Sequence, residues 1–254
     1  MASEPPVRSK IEYVIFDMDG LMIDSETVYT RVTNDILAEY GKEMTWDIKA
    51  GLMGKPEKDA ALHLLSFFPD ISLTVEEYLR RRDEAQDKAW PTVPLLPGIE
   101  RLVNHLHKHN ISMAVATGSR KRNYFLKTSG AQDPDFPGRV ANGQRGIRKG
   151  RGKPHPDIFL VAAKECLGRS VGDVSTDISV DLAEAQVMER KRGLVFEDAI
   201  PGVIAAKRAG MNVVWVAVPE LRALDTGADL SAEQILQSLE EFRPEEWGLP
   251  PYES

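Results

Sequence analysis

Residues Val14–Glu26 read VIFDMDGLMIDSE, and this stretch decides the fold. An apolar run stops abruptly in two carboxylates, Asp17 and Asp19, with Gly20 directly behind them. Ile11–Phe16 is rich in β-branched and aromatic residues, the composition of a buried strand. Side chains at i and i+2 of an extended segment point to the same side, so the two acids share one side. Close carboxylates repel unless a cation lies between them or one shares a proton. Gly20 lets the chain turn sharply behind them. A hard divalent ion with oxygen ligands relieves the repulsion, and Mg²⁺ is well suited. A solvated turn or a pair of helix-capping acids would explain an Asp-x-Asp on its own, so the dyad needs further residues before it implies chemistry.

Downstream, Ser25 reads as an N-cap for a helix through Val28, Ile36, Leu37 and Tyr40 that Gly41 ends. Two more helical stretches follow, near 57–67 and 74–89, and 24–90 contains no convincing strand. WPTVPLLPG, Trp90–Gly98, is a proline-rich return to a different region. From there strands and helices alternate: helix 99–109, strand 111–116, helix 156–167, strand 193–196, helix 201–209, strand 211–217. That alternation predicts an α/β fold, a doubly wound parallel sheet of Rossmann-like type with an inserted helical cap. The expected domains are a discontinuous core, 11–23 and 91–254, a cap at 24–90, and a flexible tail at 1–10. An insertion after the first strand falls at the carboxyl end of the sheet, where ligands bind in such folds. The cap is therefore expected to act as a lid. The stretch 168–192, polar and acidic and then helical near 182–189, reads as a surface insertion.

The bulk numbers narrow the function classes. The chain has 254 residues, 42% hydrophobic and 28% charged, and a net charge of −7. The charge argues against a general nucleic-acid or anionic-membrane binder. No apolar run approaches the length of a membrane span, and MASEPPVRSK lacks the apolar region of a signal peptide. Cys166 is the only cysteine, so no intramolecular disulfide can form. The expectation is a soluble cytoplasmic protein, most simply a monomer.

Three more stretches give the dyad its company. MAVATGS, Met113–Ser119, is a strand ending in Thr117 and Gly118. GKPHPDIF, Gly152–Phe159, places Lys153 before a proline-started helix, and GLVFEDAIPG, Gly193–Gly202, is a strand ending in Glu197 and Asp198. Each is weak alone. Together they bring acids, a hydroxyl and a cation to one sheet edge, the set that phosphoryl transfer needs. The four stretches in this order resemble the haloacid dehalogenase-like hydrolases, in the subclass with a helical cap after the first motif. Phe242–Glu253 and Met44–Lys55 resemble its phosphatases for pseudouridine 5'-phosphate, glycerol phosphate and deoxysugar phosphate.

The resemblance implies a Mg²⁺-dependent phosphomonoesterase that hydrolyses a small phosphorylated metabolite through an aspartyl-phosphate. Asp17 is then the nucleophile and Asp19 the acid and base. Thr117, Gly118 and Lys153 hold the phosphoryl group. Asp17, the Asp19 carbonyl and Asp198 bind the metal, with Glu197 in support. Lys55 is a candidate substrate contact, and a surface lysine otherwise. Two alternatives stand beside this reading. One is a phosphomutase of the same fold, against which Glu57 stands where such mutases carry an arginine. The other is a non-catalytic metabolite-binding protein on the same scaffold.

The sequence departs from the family in a basic loop, 139–153, with Arg139, Arg145, Arg148, Lys149 and Arg151. It reads either as solvated or as an attractor of anionic substrates. In Asn104–Asn110, NHLHKHN, only His105 and His109 share a helix face, and they read as polar residues at a helix C-terminus rather than metal ligands. His155 reads as a capping or solvent-facing residue. Trp46, Trp90, Trp215 and Trp247 are expected to pack, and Cys166 to face the core.

Overall fold

A computed structural model describes residues 10–52, 55, 57–129, 140–142, 150–174, 182–222 and 230–253. Its strands are β1 Tyr13–Phe16, β2 Ser112–Thr117, β3 Val140–Asn142, β4 Gly193–Glu197, β5 Asn212–Val216 and β6 Gln234–Leu236. All pair in parallel, in the order β3-β2-β1-β4-β5-β6. This is a doubly wound sheet whose strand order reverses beside β1, the place where such folds bind ligands. Parallel strands covered on both faces read as continuous apolar runs, and every residue of β1 and β4 is buried. The register sets Phe16 beside Val115 of β2 and Phe196 of β4. Asp17, directly after β1, is therefore level with Glu197 at the end of β4, and Thr117 ends β2 one residue further on.

The helices are α1 Ser25–Ala38, α2 Trp46–Leu52, α3 Glu57–Ser66, α4 Val75–Ala89, α5 Ile99–Lys108, α6 Lys121–Thr128, α7 Asp157–Val161, α8 Glu184–Lys191, α9 Ile200–Arg208 and α10 Pro219–Arg222. A π-helical turn, Ala162–Cys166, continues α7. The chain divides into two compact units, Met1–Ile23 with Leu95–Lys121 and Asp133–Ser254, and Asp24–Pro94 with Arg122–Gln132. The first holds the sheet. Its core includes Phe16 stacked on Phe196 at 5.2 Å, with Phe242 edge-on to Phe196 at 4.8 Å. Trp247 is buried and donates through Nε1 to Gln234 Oε1 at 2.8 Å, which fastens the C-terminal residues to β6. The second unit is helical and has its own core, formed by Val28, Val32, Ile36, Leu37, Leu64 and Trp90 among others.

Several details differ from the sequence reading. Asp24, not Ser25, caps α1 by accepting from Thr27 N–H at 3.1 Å. A carboxylate there meets both the unpaired amides and the positive end of the helix dipole. Helices α2 and α6 had no counterpart in the pattern. Most of α6 groups with the helical unit, where Lys127, only 3% exposed, donates to Tyr29 OH at 2.9 Å and lies 4.3 Å from the Trp90 ring. The stretch 168–192 is not a simple surface insertion. Val171 and Arg190 are both fully buried, and Arg190 donates to the carbonyls of Val171 at 2.8 Å and Asp173 at 3.3 Å. Trp46 is 36% exposed, whereas the other three tryptophans are buried. Cys166 is half-buried rather than in the core. Residues 1–9, 175–181 and four of the loop cations, Arg139, Arg145, Arg148 and Lys149, lie outside the described residues. Among the described residues no helix is long and apolar enough to cross a membrane.

Candidate active site

Strand β1 delivers Asp17 to the reversal point, where its N–H donates to Phe196 O at 3.0 Å. Gly20 turns the chain with φ of 80° and donates to Ile23 O at 3.1 Å. Asp19 sits within that turn.

Lys153 Nζ lies between two carboxylates. It donates to Asp17 Oδ1 at 2.5 Å and pairs with Glu197 Oε1. Glu197 is fully buried, and its Oε2 accepts from Ala199 N–H at 2.9 Å. A Cβ on Gly202 would lie 1.8 Å from Glu197 Oε1, so the first turn of α9 leaves room for this carboxylate only because residue 202 is glycine. Carboxylate oxygens of Asp17, Glu197 and Asp198 lie within 4.8 Å of one another. These oxygens are the kind of hard donor a divalent cation requires.

Electrostatics follow from this crowding. Asp17 is 5% exposed. Burial, countered in part by Lys153 and reinforced by Glu197 and Asp19, pushes its carboxyl up to about 7. Burial alone would lower the Lys153 ammonium, but Asp17 and Glu197 outweigh it and hold Lys153 above the ordinary lysine range. Among the described residues two carboxylates, Asp17 and Glu197, pair with the one ammonium of Lys153 and Asp198 lies beside them, so the donor set fits a bound cation.

Thr117 ends β2 fully buried. Its hydroxyl donates to Asp19 Oδ2 at 3.2 Å and accepts from Ser119 N–H at 3.0 Å. Asp17, Asp19, Thr117, Lys153, Glu197 and Asp198 thus meet at one edge, with Gly118 exposed beside Thr117. Lys55 belongs to the helical unit and is exposed.

The family described as haloacid dehalogenase-like hydrolase matches residues 14–216. This chain belongs to that family. It is an enzyme, and several of the relatives it resembles are named as phosphatases. It is 41% identical over 249 residues to (DL)-glycerol-3-phosphatase 2 of Arabidopsis thaliana, covering 97% of this chain and 95% of the relative. It is 36% identical to a probable pseudouridine-5'-phosphatase of Saccharomyces cerevisiae, covering 94% and 98%. The fold matches a hydrolase of the family from Deinococcus radiodurans, solved with bound phosphate and sodium, at a TM-score of 0.73 and 23% identity, covering 96% of this chain and all of that one.

One residue of this hydrolase's site was not singled out by the sequence, and another was read only as a cation of the basic loop. Ser119 Oγ donates to Asp19 Oδ2 at 2.7 Å. The signal available was a second hydroxyl two residues beyond Thr117. Arg151 grips Asp157 with a fork, Nε to Oδ1 at 2.6 Å and an NH₂ group to Oδ2 at 2.8 Å. The fork closes the loop on either side of Lys153 and occupies one cation of the basic run. In the helical unit Glu57 forms an ion pair with Arg82.

Proposed function

We propose that this protein is a Mg²⁺-dependent phosphomonoesterase that hydrolyses a small phosphate ester through an aspartyl-phosphate on Asp17. The observation that carries the reading is Lys153 held between Asp17 and Glu197, with Asp198 beside them, at the reversal point of the sheet. An anionic carboxylate attacks an anionic phosphate only where positive charge offsets both. Asp17, the Asp19 carbonyl and Asp198 would hold Mg²⁺, with Glu197 in support, and the ion would supply that charge. Thr117, Gly118 and Lys153 hold the phosphoryl oxygens. An Asp17 oxygen attacks phosphorus, and the bond from phosphorus to the alcohol oxygen breaks as Asp19 gives that oxygen a proton. Asp19 then takes a proton from water, whose oxygen attacks phosphorus and frees phosphate and Asp17.

The names of the relatives favour polyol phosphates and nucleoside monophosphates as substrates. Lys55 is a candidate for recognising them, and a raised KM in Lys55→Ala would support that. The protein is proposed to work as a cytoplasmic monomer. The test is phosphate release from glycerol phosphate, pseudouridine monophosphate, uridine monophosphate and 2-deoxyglucose 6-phosphate, with Mg²⁺ and with EDTA. Mg²⁺-dependent release is expected, and a hundredfold preference in kcat/KM, about 2.7 kcal/mol, would name the substrate. No release from any ester would overturn the reading.

A further inference from the structure

We propose that Ser119 is a positioning residue that holds the Asp19 carboxyl group for proton transfer to the leaving alcohol. The inference rests on the phosphomonoesterase reading and extends it to a residue outside the four motif positions. Asp19 lies beyond the end of β1, on the turn that Gly20 makes, so the strand does not fix its side chain. The terminal torsion of an aspartate is broad and adopts no sharp rotamer by itself. A general acid must nevertheless present one oxygen within hydrogen-bonding reach of the leaving group.

Two hydroxyls converge on the same oxygen, Asp19 Oδ2. Ser119 Oγ is at 2.7 Å, the usual length of a good O–H···O bond, and Thr117 Oγ1 is at the longer 3.2 Å. The Ser119 amide in turn donates to Thr117 Oγ1 at 3.0 Å, which directs the threonine proton toward Asp19. Ser119 therefore acts twice, through its hydroxyl on Asp19 and through its amide on the second donor. Such a connected set strengthens each member. Because Oδ2 accepts from both hydroxyls, the transferable proton belongs on Oδ1. In the first step the Oδ1–H bond breaks and an O–H bond forms on the departing oxygen as its bond to phosphorus breaks, so charge and atoms balance.

This role makes the cost of losing Ser119 depend on the leaving group. In Ser119→Ala, kcat/KM for glycerol phosphate should fall about 10- to 30-fold, because a poor leaving group needs the proton. On 4-nitrophenyl phosphate, whose phenolate leaves without help, the loss should shrink to about twofold or less. Inhibition by inorganic phosphate should be unchanged, and Ser119→Thr should restore most of the activity on glycerol phosphate. Ser119→Cys, a weak donor, reads the same contrast should the alanine variant fail to fold. An equal loss on both esters, or weaker phosphate inhibition, would place Ser119 on the phosphoryl group and overturn the proposal, as would no loss on either. A wild-type protein that hydrolyses neither ester would instead overturn the phosphatase reading and the proposal with it.

Discussion

Replacing Gly202 with alanine tests whether Glu197 sits as described. The added Cβ would lie 1.8 Å from Glu197 Oε1, 2.0 Å from Cδ and 2.5 Å from Oε2. Ordinary contact needs about 3.4 Å or more, so something must move by roughly 1.5 Å. A carboxylate on the surface could swing aside. Glu197 cannot, because it is fully buried on β4, paired with Lys153 and bonded to the Ala199 amide. Moving it breaks at least one charge-assisted hydrogen bond, about 1.5–3 kcal/mol. Moving α9 instead is an overpacking cost of about 1–3 kcal/mol. The expected destabilisation is therefore about 2–3 kcal/mol, a fall in Tm of roughly 5–10 °C for a chain of this size. Displacing Glu197 also displaces Lys153, and a misplacement near 1 Å costs on the order of a hundredfold in kcat. Thermal melts and phosphate release measure the two effects. Glu197→Asp withdraws the carboxyl by one methylene, so the double variant should be at least about 1 kcal/mol more stable than the single losses sum to. A Gly202→Ala protein within 0.5 kcal/mol of wild type and fully active would refute the packing of Glu197 against α9.

Three further outcomes are expected. Burial raises the Asp17 carboxyl to about 7, so the metal-free folded state binds a proton there that the unfolded chain has already lost. That contribution to stability is present at low pH and disappears as pH rises through about 7. Because the cation must displace the same proton, Mg²⁺ affinity measured by calorimetry should fall as pH drops below about 7, and pH-independent binding would contradict the assignment. Arg151→Ala removes the fork on the buried Asp157 and leaves the Lys153 loop unclosed, with a loss of about 1.5–3 kcal/mol and a lower kcat. Arg151→Lys should recover part of both, and an alanine variant with unchanged melting and kcat would show that the fork is idle. Asp24→Ala should cost about 1 kcal/mol in a denaturant melt, whereas removing the Ser25 hydroxyl, which has no hydrogen-bond partner among the described residues, should not.

The central strands were legible because a buried parallel strand leaves an unbroken apolar run. β1 and β4 carry such runs, and each ends in acids that its register brings together. β3 and β6 are three residues each, too short for any period to show. Helix α6 was missed for a different reason. Its buried residue is Lys127, held by Tyr29 and Trp90 far away in sequence, so no apolar stripe marks its inner face. Arg190 is a similar case, a buried cation satisfied by backbone carbonyls that no composition rule foresees. Within the site, the residues with sharp local context, such as Asp17 beside Asp19 and Gly20, were legible. Ser119 and Arg151 act through a neighbour's carboxylate, and only folding reveals which carboxylate that is.

The most direct test of the central claim is a rapid acid quench of the enzyme with a ³²P-labelled glycerol phosphate and Mg²⁺. The account predicts protein-bound label that hydroxylamine releases, that maps to Asp17, and that is absent from Asp17→Asn. Steady phosphate release without any such label, or label that persists in Asp17→Asn, would contradict it.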